Sequence, residues 1–151
     1  MKILGIDPGN TGALAYYDGT ELLLWDMPTF NKEKGVDLDV NQIYKIFKEA
    51  DCEKCYIEKT VAMPKISGKA AYSMGKGEGV LITCCVALDL PYTLVRPAEW
   101  KKAMQCPAEK DQARQRASQL LPAYSHNWDR KKDHGRAEAA LIALYGFKQG
   151  A

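Results

Sequence analysis

Met1-Lys2-Ile3-Leu4-Gly5-Ile6-Asp7-Pro8-Gly9-Asn10-Thr11 opens the chain, and its reading decides the fold. The apolar run Ile3 to Ile6 predicts a buried strand. It ends on a carboxylate, and Pro8 and Gly9 then turn the chain sharply. An acid leaving water needs a partner, so Asp7 at the mouth of a sheet reads as a metal-binding or phosphate-facing carboxylate. An ordinary turn aspartate is the alternative that Asp-Pro-Gly leaves open. Gly12 to Tyr17 predicts a returning antiparallel strand, and Glu21 to Met27, after the Asp18-Gly19-Thr20 turn, predicts a third.

Working outward, Pro28 to Val36 reads as a polar loop. Asp37 to Ala50 carries Leu38, Ile43, Ile46 and Phe47 at helical spacing. Cys55-Tyr56-Ile57-Glu58 is a fourth strand, and it too ends on an acid. The intervening helix implies a crossover, which makes strand four parallel to strand one. Parallel strands share their C-terminal edge, so Asp7 and Glu58 can meet there. Val61 to Gly68 reads as a loop. Ala70 to Leu88 is a long helix containing Gly75, Gly77 and Gly79. Glycine costs about 1 kcal/mol inside a helix, so this backbone is expected to be closely approached by the sheet or by a second subunit. Leu90 to Val95 is a fifth strand, followed by a helical turn from Pro97, a helix from Pro107 to Leu121 and a loop from Pro122 to Arg130. The outline is α/β, a five-stranded mixed sheet flanked by helices.

Lys131 to Tyr145 predicts the last helix, with Asp133 placed to cap it. His134 and Glu138 are four apart and share a face. Asp133, five residues before Glu138, points elsewhere on a regular helix. A docked C-terminal helix would bring His134 and Glu138 to the two strand-end acids. Converging carboxylates repel and take up protons unless cations neutralise them. Hard divalent ions, Mg2+ or Mn2+, suit such oxygen ligands, and two of them about 4 Å apart can activate water and stabilise the leaving oxygen of a phosphodiester.

Composition narrows the class. The chain has 151 residues, 46% of them hydrophobic, which suits a single domain over 1–151 with a real core. A net charge of +2 does not by itself demand nucleic acid. Basic residues nevertheless crowd the C-terminal third, from Lys101 and Lys102 through Arg114, Arg116 and Arg130 to Arg136, which permits a basic face. No apolar run reaches the length of a membrane span, and no signal-peptide pattern opens the chain. Five cysteines without secreted-scaffold spacing fit a reducing compartment. Cys52-x-x-Cys55 is half a zinc motif with no matching second half. A cytoplasmic protein is expected, bacterial or phage-encoded, or organellar if a targeting segment has been removed.

Taken together, Ile6-Asp7-Pro8-Gly9, Tyr56-Ile57-Glu58-Lys59, Gly75-Lys76-Gly77-Glu78-Gly79, Arg96-Pro97-Ala98-Glu99-Trp100-Lys101-Lys102, Ala108-Glu109-Lys110 and Asp133-His134-Gly135-Arg136-Ala137-Glu138-Ala139 resemble a RuvC-type Holliday-junction resolvase. The likeness runs the length of the chain and is nearest to the compact phage, bacterial and organellar branch with a final His-x-x-x-Glu helix. It implies an RNase H-like fold, with strands one to three antiparallel and four and five parallel to one. It also implies a homodimer, four-way junction DNA as partner, and symmetric nicking with Mg2+ (Mn2+ as substitute), two ions per site, and no nucleotide cofactor.

The catalytic and metal-holding set it implies is Asp7, Glu58, His134 and Glu138. Lys101, Lys102, Lys110, Lys131 and Lys132 are expected on phosphates. Met63 and Pro64 are the expected apolar wedge, because the family aromatic after the second acid falls near Val61. Asp133 is expected to cap the helix or support the site. The chain departs from many relatives at Gly135, where they place an Asp three residues before the final acid. The small-residue helix is the expected dimer face. Rival classes are an RNase H-like nuclease acting on RNA–DNA hybrids or on branched or flap DNA, a non-catalytic junction-binding protein, and an actin-like kinase or ATPase sharing Asp7-x-Gly9-x-Thr11. The last needs a second similar domain, for which the chain has no room.

Overall fold

The computed structural model describes residues 1–61 and 63–150, with Lys110 as backbone alone. β1 (Ile3–Asp7), β2 (Ala13–Tyr17) and β3 (Leu22–Asp26) form an antiparallel meander. After a small hairpin of β4 (Thr29–Asn31) and β5 (Val36–Leu38), β6 (Lys54–Glu58) runs parallel to β1, and β7 (Tyr92–Val95) parallel to β6. The main sheet therefore has the order β3-β2-β1-β6-β7. This is the mixed topology expected from the sequence.

The two-residue period of β1 sorts its side chains between two cores. Leu4 and Ile6 face α1 (Val40–Ala50) and α2 (Gly68–Ala87), where Ile43, Phe47 and Leu81 meet them. Ile3 faces the opposite core, filled by Trp100 of α3 (Pro97–Ala103), by Ala113 and Ala117 of α4 (Lys110–Leu120), and by α5 (His134–Gln149). Gly5 and Asp7 follow Ile3 by the same period and turn toward α5. On β6, Tyr56 belongs to the α5 core and Ile57 to the other, which puts Glu58 on the α5 side as well. Both strand-end acids are therefore aimed at the last helix.

That helix lies directly on the sheet. A Cβ on Gly5 would stand 2.3 Å from the Ala143 amide nitrogen, and one on Gly146 would stand 2.3 Å from the Tyr56 ring. Alanines and glycines at the crossing let α5 sit close enough for a buried helix. From Ala139 to Tyr145 every residue is buried, so α5 runs through the core with no clear apolar stripe.

Three expectations need correction. Pro28 to Val36 is no plain loop: β4 and β5 form a second, two-stranded sheet, closed by Lys32 N–H donating to the Gly35 carbonyl, with Gly35 at φ 91°. Its side chains are mostly exposed, so no apolar alternation betrays it. The first helix starts at Val40 and not at Asp37, because Asp39 caps it, its side chain accepting from the Gln42 amide at 3.2 Å. Pro122–Trp128 is a 3-10 helix whose last carbonyl accepts from Arg114 and whose Trp128 is buried. Among the described residues no helix is long and apolar enough to cross a membrane. All five cysteines are free, and Cys55, Cys84, Cys85 and Cys106 are buried.

Candidate active site

The end of β1 and the first two turns of α5 bring Asp7, His134 and Glu138 together. One potential ligand atom from each lies within 4.8 Å of the other two. Asp7 is 7% exposed. Burial pushes its carboxyl well above the usual carboxylate range, and the Glu138 and Glu58 carboxylates push it further, with Lys101 pulling weakly down. A buried imidazole atom, His134 Nδ1, has no hydrogen-bond partner. Such an orphan is costly unless something outside the protein satisfies it.

Gly135 makes this approach possible. A Cβ at that position would lie 2.6 Å from the Thr11 carbonyl oxygen and 3.2 Å from Asp7 Oδ2. The first turn of α5 therefore rests on the β1–β2 turn with no room for a side chain. The glycine at 135 has a steric reason: an aspartate cannot enter here without moving the helix off the turn. The neighbouring His134 projects to the acids instead.

Glu58 stands on the same edge. The register Ile6↔Ile57 carries on by one residue to set Asp7 beside it. Its carboxylate accepts a hydrogen bond from Trp100 Nε1 at 2.7 Å, and Trp100 is fully buried. Burial raises the Glu58 carboxyl, the Trp100 bond opposes that rise, and Glu138 adds to it. Trp100 is a support that the sequence does not announce, although it sits in the Arg96 to Lys102 segment. Nothing in spacing alone ties it to Glu58, because β7 must first pair beside β6 before α3 can bring Trp100 to that strand's end.

Asp133 is the other correction. It occupies the residue before α5, yet its side chain makes no capping bond. Its carboxylate, 6% exposed as a residue, accepts instead from Arg130 Nε at 3.0 Å, Arg130 Nη2 at 3.1 Å and the Arg130 amide at 3.3 Å. These bonds hold its carboxyl below the usual range. Lys131–Asp133 is a separate 3-10 turn, so the chain enters α5 through a braced corner. Arg136 adds a bidentate pair to Asp26 at 2.7 and 2.8 Å and donates to the Asn127 carbonyl at 3.0 Å.

The basic residues divide by role. Arg114 donates to the Trp128 and Asp129 carbonyls and Arg116 to the Met104 carbonyl, so with Arg130 and Arg136 they are engaged within the protein. Lys102, Lys131 and Lys132 are exposed, and Lys101 lies 5.5 Å over the Trp100 ring, near the acids. The side chain of Lys110 lies outside the described residues. A cleft of about 500 Å³ opens beside Glu58, lined by Pro8, Lys59, Thr60, Met63 and the start of α2. Met63 is 65% exposed there. Pro64 is exposed and does not line the cleft.

The chain matches no protein-family model and no curated protein. Its structure is similar to that of Thermus thermophilus RuvC in complex with a Holliday junction substrate, with a TM-score of 0.67 and 15% identity over 99% of this chain and 96% of the other. A second Thermus thermophilus RuvC structure gives a TM-score of 0.63 and 17% identity over 99% and 97%. The five-stranded mixed sheet, its flanking helices and the order of its elements therefore have the RuvC-type, RNase H-like fold.

Proposed function

We propose that this chain is a divalent-metal-dependent endonuclease that nicks four-way DNA junctions symmetrically as a homodimer. The observation that carries the proposal is the Asp7–His134–Glu138 cluster at the end of β1, two repelling carboxylates and an unpartnered buried imidazole atom on a RuvC-type fold. An oxygen, oxygen and nitrogen donor set fits Mg2+ or Mn2+, and a cation there relieves the repulsion between the carboxylates. Asp7, Glu138 and His134 would hold the metal, with Glu58 completing the site from β6. Two bound ions supply the charge that acidifies an attacking water and stabilises a leaving oxygen.

The protein's own contribution is placement. Asp7 and Glu58 end adjacent parallel strands and are held by sheet hydrogen bonds. Trp100 fixes the Glu58 carboxylate. His134 and Glu138 ride on a helix buried almost along its length, so their distance from the strand-end acids is set by core packing. Lys101, Lys102, Lys131 and Lys132 supply positive charge for backbone phosphates. Met63, exposed in the cleft lining, is an apolar group that can enter an opened junction.

Two equivalent scissile strands suit two sites related by a two-fold axis. α2 supports that assembly: Gly75 and Gly79 face open space, and Tyr72 and Val86 are 74% and 62% exposed. The test is a cutting assay with Mg2+ on a four-way junction, a linear duplex, a flap and an RNA–DNA hybrid. Paired nicks confined to the junction are expected. Preferred cutting of the hybrid or the flap would replace this reading with another RNase H-like nuclease activity.

A further inference from the structure

The β4–β5 hairpin creates a basic surface of its own. A hollow of about 380 Å³ lies between this hairpin and the start of α2, lined by Lys32, Lys34, Lys69, Lys76 and Asp37. It shares Asn10, Ala70 and Ser73 with the cleft beside Glu58. Cleft and hollow are therefore one trough, leading from the acidic edge toward the hairpin. Four ammonium groups face a single carboxylate. Asp37 is engaged by Lys76 Nζ at 2.9 and 3.1 Å and by Lys32 at 3.9 Å. Lys34 and Lys69 are exposed and have no ion pair among the described residues. The twenty-residue α2 begins here, adding the positive end of its dipole.

Like charges gathered into a concave surface raise the local potential and draw in a polyanion. The chemistry of the trough selects the occupant: ammonium groups bond to phosphates without reading bases. We propose that the trough carries the DNA strand beyond the active edge, with Lys32, Lys34 and Lys69 on successive backbone phosphates and the hairpin as one wall. This rests on the nuclease reading of the Asp7 site. It gives the hairpin and the N-terminal half of the chain a share in binding that the crowding of basic residues toward the C-terminus conceals.

The test uses Glu138→Gln protein, so that binding is measured without cutting, and fluorescence anisotropy with a four-way junction and a linear duplex between about 50 and 200 mM salt. Adding Lys32→Ala, Lys34→Ala and Lys69→Ala should flatten the salt slope by about 0.9 for every phosphate no longer neutralised and weaken binding at least tenfold. Asp37→Asn should have the opposite sign, tightening binding, because it removes the one carboxylate while its Oδ1 still accepts the Leu38 amide. An unchanged slope in the triple variant overturns the proposal, as does unchanged or weaker binding by Asp37→Asn. The opposed signs exclude misfolding as the explanation. If the wild type cuts no DNA yet the lysine variant loses salt-dependent affinity for duplex, the nuclease reading falls and the trough stands. If cutting persists and the slope does not move, the reverse holds.

Discussion

Gly135 sits so close to Thr11 that a methyl group on it would stand 2.6 Å from the Thr11 carbonyl oxygen. This approach sets how far the first turn of α5 can descend toward the end of β1, and so whether His134 and Glu138 reach Asp7. Overpacking a site of this kind costs about 1 to 3 kcal/mol. Gly135→Ala should lower Tm by several degrees and raise the Mg2+ concentration needed for half-maximal cutting. Gly135→Asp should be worse on both counts, although it adds an acid beside the site. Thermal melts with and without Mg2+, and a Mg2+ titration of cutting, check this. A Gly135→Asp protein as stable and active as wild type would show that the helix can lift off the turn at no cost.

The metal prediction follows from Asp7. Its folded-state pKa is raised, so the folded protein binds that proton more readily than the unfolded chain. The resulting destabilisation is absent below the ordinary value of about 3.9 and grows as pH rises from there through the folded pKa. Above that pKa a divalent ion relieves it and no longer competes with a proton. Mg2+ or Mn2+ should raise Tm, and by more at pH 8 than at pH 5. Asp7→Asn should melt higher than wild type without metal, lose the metal-induced rise, and fail to cut while still binding junction DNA. A metal-induced rise that survives in Asp7→Asn would remove Asp7 from the metal site.

His134 and Asp133 should give opposite signatures. His134→Ala removes a side chain whose Nδ1 has no protein partner, so cutting should fall by orders of magnitude with little loss of Tm. His134→Asp should recover part of the activity by supplying an oxygen ligand. Asp133 is structural: Asp133→Ala removes the carboxylate that braces the corner through Arg130, and it should lower Tm while leaving cutting intact.

The pH dependence of that contribution has a fixed sign. The folded carboxyl of Asp133 lies below its unfolded value of about 3.9, so its stabilisation is full above that value and is lost as pH falls through the folded pKa. The Tm gap between wild type and Asp133→Asn should therefore narrow below about pH 4. A constant gap down to pH 2 would mean that the Arg130 pair contributes nothing as an ion pair.

Trp100→Phe isolates a single hydrogen bond. Phe refills most of the buried volume but cannot donate to Glu58. That bond lowers the Glu58 pKa, so its loss should move the acidic limb of the pH–rate profile upward. An unchanged limb would place Glu58 outside the titrating set.

What the sequence determined by itself was local and periodic. The Ile3 to Asp7 run, the second acid-ended strand at Glu58 and the crossover between them dictate the parallel pairing and the shared edge. The four-residue spacing of His134 and Glu138 dictates their common face. Each follows from a strand period of two or a helix period near 3.6, which the chain carries wherever it folds. The β4–β5 hairpin is hidden in the sequence because its exposed residues leave no apolar alternation. Asp133 has the position of a cap but not the role, because Arg130, three residues earlier, competes for its carboxylate through a 3-10 turn that spacing does not announce. The Trp100–Glu58 bond, the arginines engaged within the protein, and the trough shared by the hairpin and α2 exist only where separate elements meet. Tertiary structure decided them, because a hydrogen bond or a steric limit such as Gly135 on Thr11 depends on distances between segments far apart in sequence.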